Sequence, residues 1–580
     1  FYLNVINNIS FRFTTTTEIS RASTIKVTIT TKTTITNVKI LFFRFSTSLE
    51  VMKNTTSFPE KKHFYSSLSE ETISDVDYAF AKSVWNRFKC KNLLEYTELY
   101  CEIDTILLAE IFQRFRQDMI KFSGLDPARY ISLPAFSFDS MLKQTKCELD
   151  LPSSVEMVQF IERGIRGGVS FINTRYLNTK ARHKNEEIHY IDANNLYGNA
   201  QTSMLPYNNY FWLSRKCFET YDWSNINTEG EVGYILEVDL HYPKKLHKKH
   251  DNFPLAPENI IVEYENLSPY AKKALIRSTK NKKYSDIKLS ATFYDRKNYI
   301  VHFKNLKLYL SLGLKLTHIH RVLQFNQKPF IAPFIEKCTI ERQKAKTKFE
   351  QNQFKLVANS TYGKTIQNVR AYSIVKLHNN KRSLLRAISH HTFKNFVIID
   401  ENLVQTNHIK PIIVHDRPIA VGMTVLELSK HIMYDFYYNV LIDNSYNVDL
   451  GFSDTDSFLF KTNNTKKLRQ KIKNHMDFSN YPTDHVLFST ENKAKLGFFK
   501  DELGGKQSIS EFVGLRAKCY SMKMREKIDN KHIEKKVCKG LGKVAIEKRL
   551  KFMHYKRCLF EHKDKRFHFH TILSLIHISE

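Results

Sequence analysis

The ten residues Gly451-Phe-Ser-Asp-Thr-Asp-Ser-Phe-Leu-Phe460 constrain this chain more than any other stretch. Apolar Leu450, Phe452, Phe458 and Phe460 flank turn-forming residues, which predicts two short strands joined by a tight turn. Asp454 and Asp456 then sit at the tip. Two carboxylates two residues apart repel each other unless a divalent cation lies between them, so the spacing points to metal-dependent chemistry. Taken alone, a solvated turn is the plainer reading.

Other segments supply what such a tip would need. In His189-Tyr-Ile-Asp-Ala-Asn-Asn-Leu-Tyr-Gly198 an apolar strand ends on Asp192 and turns through Asn194 and Asn195 into Leu196 and Tyr197. Laid beside the hairpin, it would bring three carboxylates together, enough for two metals that activate a hydroxyl and stabilise a leaving phosphate. Helical spacing from about Ile335 to Gly363 puts Lys348, Asn352, Lys355, Asn359 and Tyr362 on one face. Lys355 suits phosphate charge and Tyr362 suits packing on a base, with Gly363 ending the helix. The run Glu511 to Tyr520 reads as one strand with Lys518 and Tyr520 pointing the same way, fitted to a phosphate backbone and its sugar. Upstream, Glu162 to Ser170 carries Gly164, Gly167, Gly168, Arg163 and Arg166, a flexible basic loop or an interdomain linker. Tyr100 and Asp104 share one face of an amphipathic helix.

Charge names the class of partner. With 89 Lys and Arg against 59 Asp and Glu the formal charge is +30, which favours a polyanion through counterion release. Two basic runs, Lys244 to His250 and Lys280 to Lys283, lie in a long segment from 203 to 328 that reads as an insertion along a nucleic-acid path. No apolar run is long enough for a spanning helix or a secretory core, so an intracellular protein that avoids membranes is expected. The eight cysteines form no C-x-x-C pair, and neither a zinc site nor a disulfide framework is expected. Residues 1–55 are Thr- and Ile-rich and contain no Asp, a low-complexity leader to which no function is assigned.

In this order the segments resemble the family B DNA polymerases, and among them the protein-primed group of viruses, linear plasmids and self-synthesising transposons. Asp192 to Gly198 is similar to the family's D-x-x-S-L-Y-P, with Asn195 and Gly198 in place of Ser and Pro. Lys355 to Gly363 matches K-x-x-x-N-S-x-Y-G, Phe452 to Ser457 matches Y-x-D-T-D-S except at Phe452, and Lys518 to Tyr520 matches K-x-Y. The resemblance implies that Asp192, Asp454 and Asp456 form the catalytic and metal-binding site for two Mg2+ ions, with Mn2+ able to substitute. Tyr197, Lys355, Asn359, Tyr362 and Gly363 would bind the deoxynucleoside triphosphate, Tyr197 excluding a ribose hydroxyl. Gly167, Gly168, Lys518 and Tyr520 would hold primer and template, although Arg166 stands where the family's Y-x-G-G loop has Tyr. Thr424 to Leu428 stands at the family's T-x-x-G-R without its Gly or Arg, so that role is not carried over.

The implied fold is α/β (α+β): a right hand of palm, fingers and thumb, preceded by part of a ribonuclease H-like exonuclease domain. The expected divisions are the leader at 1–55, the C-terminal part of the exonuclease-like domain at 56–155, palm and fingers at 156–524 with the insertion at 203–328, and a partial thumb and tail at 525–580. A second small insertion is expected between Asn368 and Val421. Of the exonuclease motifs only Tyr100 and Asp104 are present, and a single carboxylate cannot hold two metals, so proofreading is expected to be absent. Template and primer DNA, deoxynucleotides and a terminal protein docking at 203–328 are the implied partners. A nuclear location is implied if the source is a eukaryotic transposon. The competing readings are a degenerate transposon copy that binds DNA without catalysis and, less favoured, a reverse transcriptase.

Overall fold

Residues 48–66, 69–179, 185–279, 285–527, 529–563 and 565 are described by a computed structural model. In chain order the elements that matter for the site are helices α1 (Leu93–Ser123), α2 (Leu133–Thr145) and α3 (Val155–Gly164), strands β1 (Ser170–Ile172) and β2 (Glu187–Ala193), and the short helix α4 (Leu196–Gln201). Helices α5 (Ala332–Lys344), α6 (Lys348–Thr365) and α7 (Ile419–Asp435) come next. Then come strands β3 (Val448–Asp454), β4 (Ser457–Thr462), β5 (Gln507–Arg516), β6 (Cys519–Glu526) and β7 (His532–Cys538), and helix α8 (Phe552–Glu561).

A ten-stranded sheet forms the centre, its main path running β1-β3-β4-β2-β5-β6-β7. The β3–β4 hairpin forms where the alternation placed it, with a register shift between Leu450 and Phe452. Both of its faces are covered. Leu450, Phe458 and Phe460 pack into one apolar cluster with Tyr434 and Tyr437, while Phe452 and Leu459 pack into another with Phe512 and Tyr520. Burial on two sides explains why consecutive residues such as Phe458, Leu459 and Phe460 are all apolar, and it fixes the register that sets the acids.

The segment from 203 to 328, expected as an insertion, is largely part of this core. Four strands within it, Leu205–Trp212, Lys315–Lys328, Val232–His241 and Arg296–His302, make an antiparallel sheet in that order. Leu236, Val238, Leu240, Tyr299 and Val301 join the same cluster as Phe458, because the near-continuous apolar run from Val232 must be covered on both faces. What stands apart is a hairpin of Glu258–Glu263 and Ser285–Ser290 flanking a helix at Pro269–Thr279. Lys280 to Lys283 lie outside the described residues. Between Asn368 and Val421 a three-stranded sheet (Ser373–His378, Leu403–Ile409, Phe393–Asp400) carries one helix, Lys381–Ile388, the small unit expected there.

Two boundaries shift. Most of the leader, residues 1–47, lies outside the described residues, but Leu49–Asn54 is a helix whose Met52 packs with Phe64, Trp85 and Tyr96, so it belongs with the helical segment after it. Residues 525–538, placed with the thumb, finish β6 and add β7 as the last strand of the central sheet's main path. Among the described residues no strand precedes Ser170, and Ser66 and Glu71 form only an isolated bridge.

Candidate active site

Strand register assembles the acids. In the β4–β2 pair Ser457 lies opposite Asp192, and in the β1–β3 pair Ser170 lies opposite Asp454. The turn between the acids is tight. Thr455 has φ +69°, its N–H donates to the Val169 carbonyl at 2.8 Å, and the Asp456 N–H donates to the Asp454 carbonyl at 2.8 Å. The Ala193 N–H donates to the Asp456 carbonyl at 2.7 Å, tying the turn to β2. Gly168 lies directly beneath, and a Cβ there would run into the Thr455 side chain.

Electrostatics couples the acids. Burial, then the charge of Asp456, then that of Glu502 push the Asp192 carboxyl up to about 7, against the pull of Lys355 and Lys535. Asp456 is also raised, first by burial and then by Asp454. Asp454 differs in having a partner of its own, Lys518, whose Nζ lies 2.6 Å from its Oδ1. Among the described residues no three His, Cys, Asp or Glu side chains already form a metal cage. The donor chemistry nevertheless fits a hard divalent cation: Asp192 and Asp456 are carboxylates that burial and mutual repulsion make costly to ionise, and a cation would relieve that cost.

Helix α6 brings the nucleotide-side residues. It is separate from α5, starting at a capping box between Thr347 and Glu350, so the single helix expected from Ile335 is two. Phe354, Val357, Ala358 and Thr361 are buried, while Lys348, Asn352 and Lys355 are exposed on the other side, the face expected. Lys355 acts electrostatically on both Asp192 and Asp456. Tyr362 stacks on Tyr197 with ring centroids 4.7 Å apart and planes 17° apart. The Asn359 Oδ1 is buried without a hydrogen-bond partner among the described residues. Gly363 does not end the helix, which continues to Thr365 because the final turn carries buried Thr365. A Cβ at Gly363 would meet open space. In α4, Asn195 has φ +46° and its side chain accepts from the Gly198 N–H at 3.2 Å, so these two departures from the family motif act together as one helix cap.

Three expectations for the DNA-side residues change. Glu511 to Tyr520 is a hairpin instead of one strand: β5 ends at Arg516, and Lys518 sits in the turn at φ +56°. Tyr520 is 5% exposed, stacks on Phe452 at 4.7 Å and hydrogen-bonds Tyr190. Of the two arginines one faces inward: Arg166 is 6% exposed, lies over the Tyr299 ring at 4.0 Å and donates to the Ile300 carbonyl at 2.6 Å, while Arg163, in the last turn of α3, is exposed and pairs with Glu237 at 3.2 Å. Gly164 ends α3, whereas Gly167 is exposed and has nothing within 4 Å of a Cβ. Tyr100 and Asp104 lie one turn apart on α1, hydrogen-bonded to each other, with Asp104 exposed.

Two residues near Asp192 escape the sequence reading. Glu502 succeeds a short strand, Phe499–Asp501, that pairs with β2, and its N–H donates to the Tyr190 carbonyl at 2.9 Å. Lys535 of β7 lies over the Tyr190 ring at 4.5 Å, its pKa lowered by burial against the opposing pull of Glu502 and Asp192. Strand pairing across hundreds of residues brings them here, and no local pattern marks it.

The acid-tipped hairpin at the centre of the sheet, with helices α2, α5 and α6 packed together in one apolar cluster and Lys355 of α6 acting on its acids, fits the palm and fingers of a right-hand polymerase. The chain belongs to the organellar and viral type B DNA polymerases, whose family model matches residues 44–440. Its fold is similar to phi29 DNA polymerase complexed with primer-template DNA in a post-translocation binary complex, at TM-score 0.47 and 15% identity over 87% of this chain and 72% of that one. It is also similar to phi29 DNA polymerase in an orthorhombic crystal form, at TM-score 0.45 and 15% identity over 96% and 84%. A search of curated proteins gives no match. Among the described residues no helix is long and apolar enough to cross a membrane.

Proposed function

We propose that this polymerase extends a primer hydroxyl on a DNA template with deoxynucleotides, using Asp192 and Asp456 to hold magnesium ions and Asp454 beside them. The observation that carries this is the convergence of Asp192 and Asp456 at adjacent strand ends, both raised by burial and by neighbouring carboxylates. When bound, the cations supply charge stabilisation for the attacking and leaving oxygens. The protein's own groups do the positioning. Lys355 offers a cation on the same side as the acids, suited to a triphosphate. The Tyr197–Tyr362 stack offers a flat wall for base and sugar, and Tyr197 would exclude a 2′-hydroxyl, as the family motif implies. Asn359, half-buried with its Oδ1 unsatisfied, is available to the incoming nucleotide. Lys518 and the backbone at Gly167 and Gly168 lie beside the acid turn and suit the primer phosphates.

Priming by a terminal protein, docked on the hairpin and helix between Glu258 and Ser290, is part of the same proposal. Proofreading is not part of the proposal for these residues, in which Tyr100 and Asp104 are the one exonuclease motif of the family that is present. The decisive experiment is extension of a labelled DNA primer with magnesium and deoxynucleotides, run beside Asp456→Ala. Loss of extension in the variant supports the site. No extension by the intact chain, with DNA binding retained, would instead indicate a copy that binds without catalysis.

A further inference from the structure

Behind Lys518, on the side of the sheet that α8 covers, two thiols face each other. Cys519 opens β6 and Cys538 closes β7, the strands pair with Cys519 directly opposite Cys538, and the two Sγ atoms lie 3.5 Å apart. The Lys539 N–H donates to the Lys518 carbonyl at 2.9 Å, which makes Cys519 and Cys538 a non-hydrogen-bonded pair. In such pairs the Cα atoms are about 4.5 Å apart, within the range a disulfide spans. The surroundings are asymmetric. Cys519 is 6% exposed among Val513, Phe552 and Tyr555, whereas Cys538 is half-exposed. A hydrogen bond from the Cys519 thiol, and then the Arg516 guanidinium, favour a Cys538 thiolate and hold its pKa below the usual thiol value, while that hydrogen bond and then burial raise Cys519.

We infer that Cys519 and Cys538 form an oxidative modification site, a dithiol that a peroxide converts into a cross-strand disulfide adjoining Lys518. Cys538 is the attacking sulfur and Cys519 the resolving one. The Cys538 thiolate attacks hydrogen peroxide, breaking the O–O bond to give a sulfenic acid and hydroxide, which takes a proton to become water. The Cys519 thiol then gives up its proton and displaces the sulfenic oxygen, forming the S–S bond and releasing a second water. Two thiols lose two electrons to one peroxide, and the balance closes.

The consequence reaches the acid turn through one peptide bond. Closing the sulfurs from 3.5 Å to about 2.05 Å ties Cys519 to β7 through a bond of fixed geometry, and Lys518, in the left-handed turn beside it, holds Asp454. Oxidation therefore disturbs the Lys518–Asp454 pair. This second step rests on the proposed polymerase site; the chemistry of the thiols does not.

The test uses the full chain treated with stoichiometric hydrogen peroxide, digested without reduction and read by mass spectrometry. The expected result is a peptide linking Cys519 to Cys538, about 2 Da lighter than the two free peptides together, which dithiothreitol splits. It persists in Cys558→Ser, whose thiol also lies near Cys519, and is lost in Cys538→Ser. A link from Cys519 to Cys558, or Cys538 stopping at a sulfinic acid, overturns the site. In a parallel primer-extension assay the linked protein should slow and recover on reduction, while Cys538→Ser is indifferent to peroxide. Unchanged extension by linked protein overturns the coupling to Lys518.

Discussion

Lys518 Nζ lies 2.6 Å from Asp454 Oδ1, so one of the three acids at the strand ends is paired with a cation delivered by a separate hairpin. Lys518 also acts on Asp456, lowering a carboxyl that burial and Asp454 raise.

Replacing that lysine therefore has a signature in pH. In Lys518→Ala, Asp456 loses a stabilising cation and its pKa rises further, so the acidic limb of the extension-rate profile should move to higher pH. The pair is partly exposed, at 40% and 21%, and its loss should cost less than about 1 kcal/mol of stability. Catalytic efficiency at neutral pH should fall about tenfold, equivalent to about 1.4 kcal/mol. A profile of unchanged shape would assign Lys518 to DNA binding alone.

Asp192 predicts how stability depends on pH and metal. Its carboxyl is raised from 3.8 to about 7 in the fold. Between those values the folded protein holds a proton that the unfolded chain has released, so metal-free stability falls as pH rises through the window and stays reduced above it. Below the window both states are protonated and Asp192 contributes nothing. Thermal melts in EDTA should show a larger drop from pH 5 to pH 8 for the wild type than for Asp192→Asn. Adding magnesium at pH 8 should raise the wild-type midpoint and leave that of Asp192→Asn nearly unmoved. Equal responses in the two proteins would remove Asp192 from the metal site.

What the sequence made legible was local. The acid hairpin, Asp192 at a strand end and the polar face of α6 each arise from a period of two or of 3.6 residues within a dozen positions. The misread positions were settled by distant contacts. Gly363 is an ordinary helical residue because buried Thr365 carries the helix past it. Lys518 occupies a left-handed turn position that composition would assign to Gly or Asn. Arg166 was read as part of a flexible basic loop, but the Tyr299 ring and the Ile300 carbonyl, more than a hundred residues away in sequence, draw it inward. Glu502 and Lys535 reach Asp192 only through the strand order of the finished sheet.

The loop before β1 hangs on a buried lysine. Lys430 of α7 donates to the Arg166 carbonyl at 2.9 Å and the Leu426 carbonyl at 2.7 Å, and lies 3.3 Å from Glu427, which is 1% exposed. Lys430→Met would leave the Glu427 charge buried without its cation, a change that costs about 3–5 kcal/mol. Urea denaturation should show that loss, and Glu427→Gln in the same chain should restore part of it. Full stability in Lys430→Met would mean that the Asn305 amide, at 2.9 Å, is enough for Glu427.

Gly168 and Thr455 offer a test of how closely the acid turn is held. A Cβ at 168 would overlap the Thr455 side chain, while Thr455 itself sits at φ +69° and anchors to the Val169 carbonyl. Gly168→Ala must therefore push the turn that carries Asp454 and Asp456, and primer extension should fall by about a hundredfold, since shifts near 1 Å at a reacting site have that effect. Overpacking of this kind costs about 1–3 kcal/mol, so the variant should still fold. Thr455→Gly removes the obstructing side chain and suits the left-handed backbone, so the double variant Gly168→Ala/Thr455→Gly should recover most of the lost extension. Additive losses in the double variant would show that the turn depends on Thr455 for more than room. The recovery itself would place the separation of Gly168 and Thr455, two positions far apart in the chain, among the distances that set the geometry of the acids.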